Sequence, residues 1–275
     1  MAWTNAHIPW LVDTKRVIRT AEGKEIAVWE LRHQPDPPIL SAWADHFRNH
    51  YCRDHEIDVL RDGTGHSRSE YLEALKFPDR SQGFGPLIRA GDFSEILVAD
   101  FLQFVLHFQV PRTRFVDKGI RNESKKGCDV IGFKCLDPNT PLPDDALAIF
   151  ESKAQFSGTA AKPKLQEAVD GSAKDLLRKA ESLNAIKQRL LDEKNVEQGR
   201  VVARFQNKAD KPYQEYFGAV ALFETDLVDE QVLETTTAQN HHATANLTLV
   251  VIHGQEMMRL THDLYKLAAE QAEQA

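Results

Sequence analysis

Two acids and a lysine lie near the middle of the chain. Asp129 opens the run Gly127-Cys128-Asp129-Val130-Ile131-Gly132-Phe133. Glu151 and Lys153 sit inside Leu147-Ala148-Ile149-Phe150-Glu151-Ser152-Lys153-Ala154-Gln155-Phe156. Two carboxylates held a few ångströms apart repel each other unless a cation sits between them. Mg²⁺ suits such a pair, because it accepts one or two carboxylates and keeps waters for a phosphate. A metal held there would polarise a scissile phosphate and help make hydroxide from its bound water. Lys153 could orient the attacking water or offset charge in the transition state. Gln155 could position the same water or contact a nucleic-acid backbone. The chemistry such a set would perform is phosphodiester hydrolysis.

The residues need a scaffold that brings them together. In a strand, alternate side chains share a face. Glu151, Lys153 and Gln155 then point one way, and Phe150, Ser152, Ala154 and Phe156 the other. The strand begins apolar on both faces and one face then turns polar, as when a strand leaves a core and its end lines a cleft. If the Asp129 strand is its neighbour, Asp129 and Glu151 meet at one end of the sheet. Acid-x-Lys alone is a weak pattern, since Asp13, Glu22, Glu123 and Asp192 also stand two places before a lysine. Only the Glu151 copy lies in an apolar strand behind an acid-bearing one. The competing reading is a cross-strand ion pair.

A helix is expected from about Asp92. Asp92 and Glu95 read as a capping box ahead of Ile96-Leu97-Val98, and Pro111 ends the apolar pattern. Glu95 is explained either as that cap or as a further metal ligand. Basic residues follow: Arg112, Arg114, Lys118, Arg121, Lys125 and Lys126. Of these, Lys118, Arg121, Lys125 and Lys126 are the candidate DNA contacts. They form either a phosphate-tracking patch or a solvated surface; Lys162, Lys164 and Lys174 pose the same choice. His46, His50 and His55 have near-helical spacing with Cys52 nearby, but lack the glutamate of a zinc-protease motif. His241-His242 reads as a surface loop. No glycine-rich phosphate loop is present, which disfavours ATP hydrolysis.

Further elements read as follows. Val17-Ile18-Arg19 and Ile26-Ala27-Val28-Trp29 make a hairpin, helical patterns cover Ile39 to Tyr51 and Ser69 to Leu75, and Lys76 to Pro86 is a loop or linker. Strands are expected at Arg112 to Lys118, Asp129 to Cys135, Ala146 to Phe156, Tyr216 to Phe223 and Leu247 to Ile252. A long helix covers roughly Lys164 to Leu191, and a last one runs from about Gln255 to Ala269. The expected fold class is α/β: a central mixed sheet flanked by helices, with an N-terminal α+β appendage. The division places the appendage at 1–85 and the catalytic domain at 86–275.

The chain has 275 residues, 42% hydrophobic and 27% charged, with a formal net charge of −7, an ordinary globular composition. A protein that binds nucleic acid through bulk charge is usually basic, so DNA binding here needs a local patch, a metal or a partner. Cys52, Cys128 and Cys135 are odd in number, form no Cys-x-x-Cys and follow no signal peptide. A reducing, cytoplasmic location is expected. No apolar run approaches the roughly 18 residues of a membrane span.

With these residues in view, Gly91-Asp92-Phe93-Ser94-Glu95, Gly127-Cys128-Asp129 and Phe150-Glu151-Ser152-Lys153-Ala154-Gln155 resemble the PD-(D/E)xK nuclease superfamily. Spacing and flanking sequence resemble most the HamA family, the nuclease subunits of the Hachiman bacterial anti-phage defence system. The resemblance covers most of the chain, with its specific residues between Gly91 and Gln155. It implies a restriction-endonuclease-like core, Mg²⁺-dependent DNA cleavage (Mn²⁺ being an alternative ion) and a companion superfamily 2 helicase, HamB. By carry-over, Glu95 is the helix acid, Asp129 and Glu151 are metal ligands, and Lys153 is the catalytic lysine. The proline that precedes the first acid in the superfamily pattern is replaced by Cys128. Two other functions stay open: a stand-alone repair or restriction nuclease, and a non-catalytic scaffold subunit of a helicase complex.

Overall fold

β-Branched and aromatic runs form the strands, and a computed structural model describing residues 3–274 orders six of them into one sheet. The strands are β1 (Leu11–Arg19), β2 (Glu25–Leu31), β3 (Val130–Lys134), β4 (Ala146–Gln155), β5 (Gln214–Glu224) and β6 (Leu247–Gly254). Their order across the sheet is β1-β2-β6-β5-β4-β3. β2, β6, β5 and β4 run parallel, while β1 and β3 close the two edges antiparallel. The mixed α/β sheet expected from the sequence is therefore present.

The helices are α1 (Pro37–Tyr51), α2 (Ile57–Arg61), α3 (Arg68–Tyr71), α4 (Gly85–Asp100), α5 (Lys164–Ser172), α6 (Asp175–Asp192), α7 (Val196–Arg204), α8 (Glu230–Glu234) and α9 (Met257–Ala272). Strand alternation sorts the core into two layers. Ala148 and Phe150 of β4, Val220 and Leu222 of β5, and Val250 and Ile252 of β6 pack with α1, α4 and α9. Leu147, Ile149, Ala219, Ala221, Leu249 and Val251 face the other way, toward α5, α6 and α7. The central strands are buried on both faces, so they read as continuous apolar runs.

Residues 3–85 are woven into this architecture. β2 pairs with β6 from Ile26↔Leu249 to Leu31↔Gly254, and Phe47 of α1 packs edge-on against Tyr265 of α9. The sheet does not break near residue 85.

Three local expectations are corrected. α4 starts at Gly85 with a proline in its first turn, where a missing N–H costs nothing. Asp92 and Glu95 are therefore mid-helix and make no capping box. The long helix after β4 is two helices, divided at Ala173 and Lys174. Arg112 to Lys118 is an irregular loop rather than a strand; nearby, only Gln109 bridges to the sheet, at Phe133.

Candidate active site

The end of β4 and the start of β3 make the site. Val130 of β3 is opposite Phe150 of β4, so the residue just before β3, Asp129, comes level with Glu151. Asp129 Oδ2 accepts a hydrogen bond from the Ser152 backbone N–H at 3.1 Å. The Ser152 side chain points to the opposite layer and meets the Ser94 hydroxyl of α4 at 3.0 Å. Glu151 and Lys153 project together on the other face, with Lys153 Nζ 2.6 Å from Glu151 Oε1. The strand phase read from sequence thus holds in the structure. Gln155 is turned into its own loop: its amide donates to the Ala160 carbonyl and accepts from the Lys162 N–H.

Glu151 is buried against α5. A Cβ on Gly171 would stand 2.5 Å from Glu151 Oε1, so glycine is what lets α5 approach this carboxylate. Burial, with Asp129 adding to it, pushes the Glu151 carboxyl up to about 7, while Lys153 opposes the rise. Burial disfavours the charged Lys153 ammonium, but Asp129 and Glu151 outweigh it and raise its pKa.

Two arginines complete the charge arrangement. Arg114 pairs with Glu95 of α4 through a short contact and with Asp129 Oδ1 at 2.8 Å. Arg178 of α6 stands 3.5 Å from Glu151 and 2.9 Å from Asp175. Each of the two central acids is thereby linked through an arginine to a second carboxylate, Glu95 partly buried and Asp175 fully so. Burial pushes the Glu95 carboxyl well up, with Arg114 pulling against it. Asp175 is raised to about 6 by burial, with the Arg178 guanidinium opposing the rise. A cleft lined in part by Glu95, Arg112, Arg114, Lys125, Asp129 and Arg189 opens beside Arg114.

Asp175 and Arg178 were not singled out in the sequence. Asp175-x-x-Arg178 is one of many charged pairs on an exposed-looking helix, and only the break after α5 turns it inward. Arg114 was visible as a basic residue, with no sign of its partners.

The basic stretch also turns inward. Arg112 ion-pairs with Asp100 at 2.5 Å, Lys118 with Asp92 at 2.5 Å, and Arg121 with Asp79 at 3.1 Å. With Arg114, three of these cations land on α4 carboxylates. Lys118 is 6% exposed and has no surface to offer a phosphate. Lys125 donates to the Asp117 carbonyl, and Lys126 is exposed. The loop is stitched to α4 by buried charge pairs, a role that neither surface reading supplied.

A second cluster lies behind the loop. His46, His50 and Asp100 are buried, with one donor atom of each within 4.8 Å of the others, a spacing that could hold a metal ion; no other three-donor group this close occurs among the described residues. Arg112 already occupies that space. Its Nη1 lies 3.2 Å from His46 Nε2, 3.0 Å from His50 Nε2 and 2.5 Å from Asp100 Oδ1. Burial alone would raise the Asp100 carboxyl, yet His46, Arg112 and His7 hold it well below its usual range. Burial and the neighbouring Arg112 hold His50 well below its ordinary value, as a neutral ring. His55 takes no part in the group. His241, expected in a surface loop, is 5% exposed and stacks on His242.

The fold and this site define an α/β protein with an acid-acid-lysine constellation at one end of a mixed sheet. A family model named HamA matches residues 6–268. The chain belongs to the HamA family, and is thus a component of Hachiman defence. No curated protein matches it. No helix among the described residues is long and apolar enough to cross a membrane.

Proposed function

We propose that this chain is a Mg²⁺-dependent deoxyribonuclease of the PD-(D/E)xK type, acting as the effector subunit of a defence complex with a helicase. The observation that carries the reading is the placement of Asp129 level with Glu151, with Lys153 Nζ 2.6 Å from the latter. The donor set fits Mg²⁺: hard carboxylate oxygens, of which one or two suffice when waters fill the remaining positions. Asp129 and Glu151 would hold the ion. The ion supplies a polarised phosphate and an activated water.

The residues of the chain divide the remaining work. Lys153, kept charged by the acids around it, offsets negative charge on the phosphate. Glu151, whose buried carboxyl is raised to about 7, would hold the ion in its deprotonated form. Gln155 shapes the loop that follows β4. The net charge of −7 and the inward-turned basic loop suit a subunit that engages DNA with help from its partner. The first 85 residues are our proposal for the helicase-binding region.

The test is incubation of the purified chain with plasmid and linear DNA, with and without the helicase, in Mg²⁺ or EDTA. Cleavage that requires Mg²⁺ and disappears in Lys153→Ala and Glu151→Ala supports the reading. Variants that cleave like the parent chain with helicase and Mg²⁺ present overturn it.

A further inference from the structure

We infer that Arg114 is a positioning residue of the metal centre, and that Glu95 serves Arg114 as counter-charge and does not touch the metal. This rests on the nuclease reading above. A guanidinium offers five N–H donors in a rigid fork, and here the fork is fully engaged. Nε meets Glu95 Oε2, and Glu95 Oε1 lies 3.4 Å from Nη2. Nη2 donates to Asp129 Oδ1 at 2.8 Å and to the Lys125 carbonyl at 2.9 Å. Nη1 donates to the Cys128 carbonyl at 2.6 Å and reaches that of Lys126 at 3.5 Å.

One side chain therefore grips both the Asp129 carboxylate and the peptides that lead into it. The other Asp129 oxygen is held by the Ser152 N–H at 3.1 Å. The carboxylate is fixed from two sides, while each oxygen keeps lone-pair capacity for a cation. Glu95 differs, because both its oxygens face the same guanidinium. Arg114 is itself anchored through Arg112, two residues earlier, whose ion pair with Asp100 is fully buried. Loop and helix thus set the position of Arg114 before any metal arrives. A lysine could supply the charge but not the fork.

The experiment is a Mn²⁺ titration of the full-length chain followed by electron paramagnetic resonance, with Mg²⁺-dependent cleavage measured on the same samples. The variants are Glu95→Gln, Arg114→Gln, Arg114→Lys, the double Glu95→Gln/Arg114→Gln, and Asp129→Asn. We expect Asp129→Asn to abolish Mn²⁺ binding. Glu95→Gln should keep stoichiometric binding, with affinity weakened on the order of 10-fold, as for other groups that orient metal ligands. Arg114→Lys should be as impaired as Arg114→Gln, and the double variant no worse than Arg114→Gln alone. Glu95→Gln losing Mn²⁺ as completely as Asp129→Asn, or adding its full effect to that of Arg114→Gln, makes Glu95 a ligand and overturns the inference. If Arg114→Gln does not fold, Glu95→Gln against Asp129→Asn and Arg114→Lys decides the matter. A parent chain that binds no Mn²⁺ overturns the metal-centre reading itself, and this inference with it.

Discussion

The Asp129 carboxylate is pinned to the backbone N–H of Ser152, 3.1 Å away on the neighbouring strand. That bond ties the entry of β3 to the stretch of β4 carrying Glu151 and Lys153. Removing charge at either strand should therefore separate chemistry from folding, because the two acids differ in what else they hold.

Glu151→Gln should abolish Mg²⁺-dependent cleavage, by about 100-fold or more as for loss of a principal electrostatic group, yet leave the metal-free chain at least as thermally stable at pH 8. The buried Glu151 carboxylate is costly to ionise, and glutamine carries no charge to desolvate. Asp129→Asn should lower both cleavage and melting temperature, since Arg114 would then keep only Glu95 as a carboxylate partner. Differential scanning calorimetry beside a cleavage assay checks the contrast. A Glu151→Gln chain that melts well below the parent at pH 8 defeats it.

The pH dependence follows from the direction of the Glu151 shift. Its folded value of about 7 lies above the ordinary value of 4.5. The folded state thus holds this proton more tightly than the unfolded one. The stability it contributes is full below 4.5 and is lost as pH rises to about 7. Metal must displace the same proton, so Mg²⁺ affinity should rise with pH up to about 7 and then level off. Isothermal titration calorimetry in buffers of different ionisation enthalpy measures both affinity and proton release. Affinity that is flat between pH 5 and 7 would count against this assignment.

Gly171→Ala should cost activity while leaving every proposed catalytic side chain chemically unchanged. The new Cβ would stand 2.5 Å from Glu151 Oε1, and either the carboxylate or α5 must yield. Overpacking of this kind costs about 1–3 kcal/mol. Urea melts and single-turnover cleavage should both show a loss; a Gly171→Ala chain with the activity and stability of the parent would show that the close approach is not needed.

The buried Arg112–Asp100 pair should matter to stability far more than an exposed pair. Asp100→Asn leaves the guanidinium uncompensated among His46 and His50, at a cost of about 3–5 kcal/mol. Because Arg112 fills the space among His46, His50 and Asp100, the purified chain should carry no stoichiometric zinc by elemental analysis. One zinc per chain, retained through dialysis, would place a metal where the guanidinium now stands. That result would reverse the assignment of the cluster.

Much of this protein was legible from local chemistry. The alternation in Leu147 to Phe156 determined which side chains of β4 share a face, because strand geometry is set by residue period alone. It also marked Glu151 and Lys153 as the point where an apolar strand turns polar. The apolar runs of β5 and β6 likewise announced a buried sheet with helices on both sides. Only the tertiary structure decided who answers whom. Asp175 meets Glu151 through Arg178 because a helix breaks at Ala173 and Lys174. Arg112, Arg114 and Lys118 turn inward because α4 starts at Gly85 and presents Asp100, Glu95 and Asp92 along its length. Burying a charged side chain costs desolvation, and only a partner of opposite sign fixed by the fold offsets that cost. For Arg112, Arg114 and Lys118 that partner lies 12, 19 and 26 residues away in the chain, separations that no periodicity records.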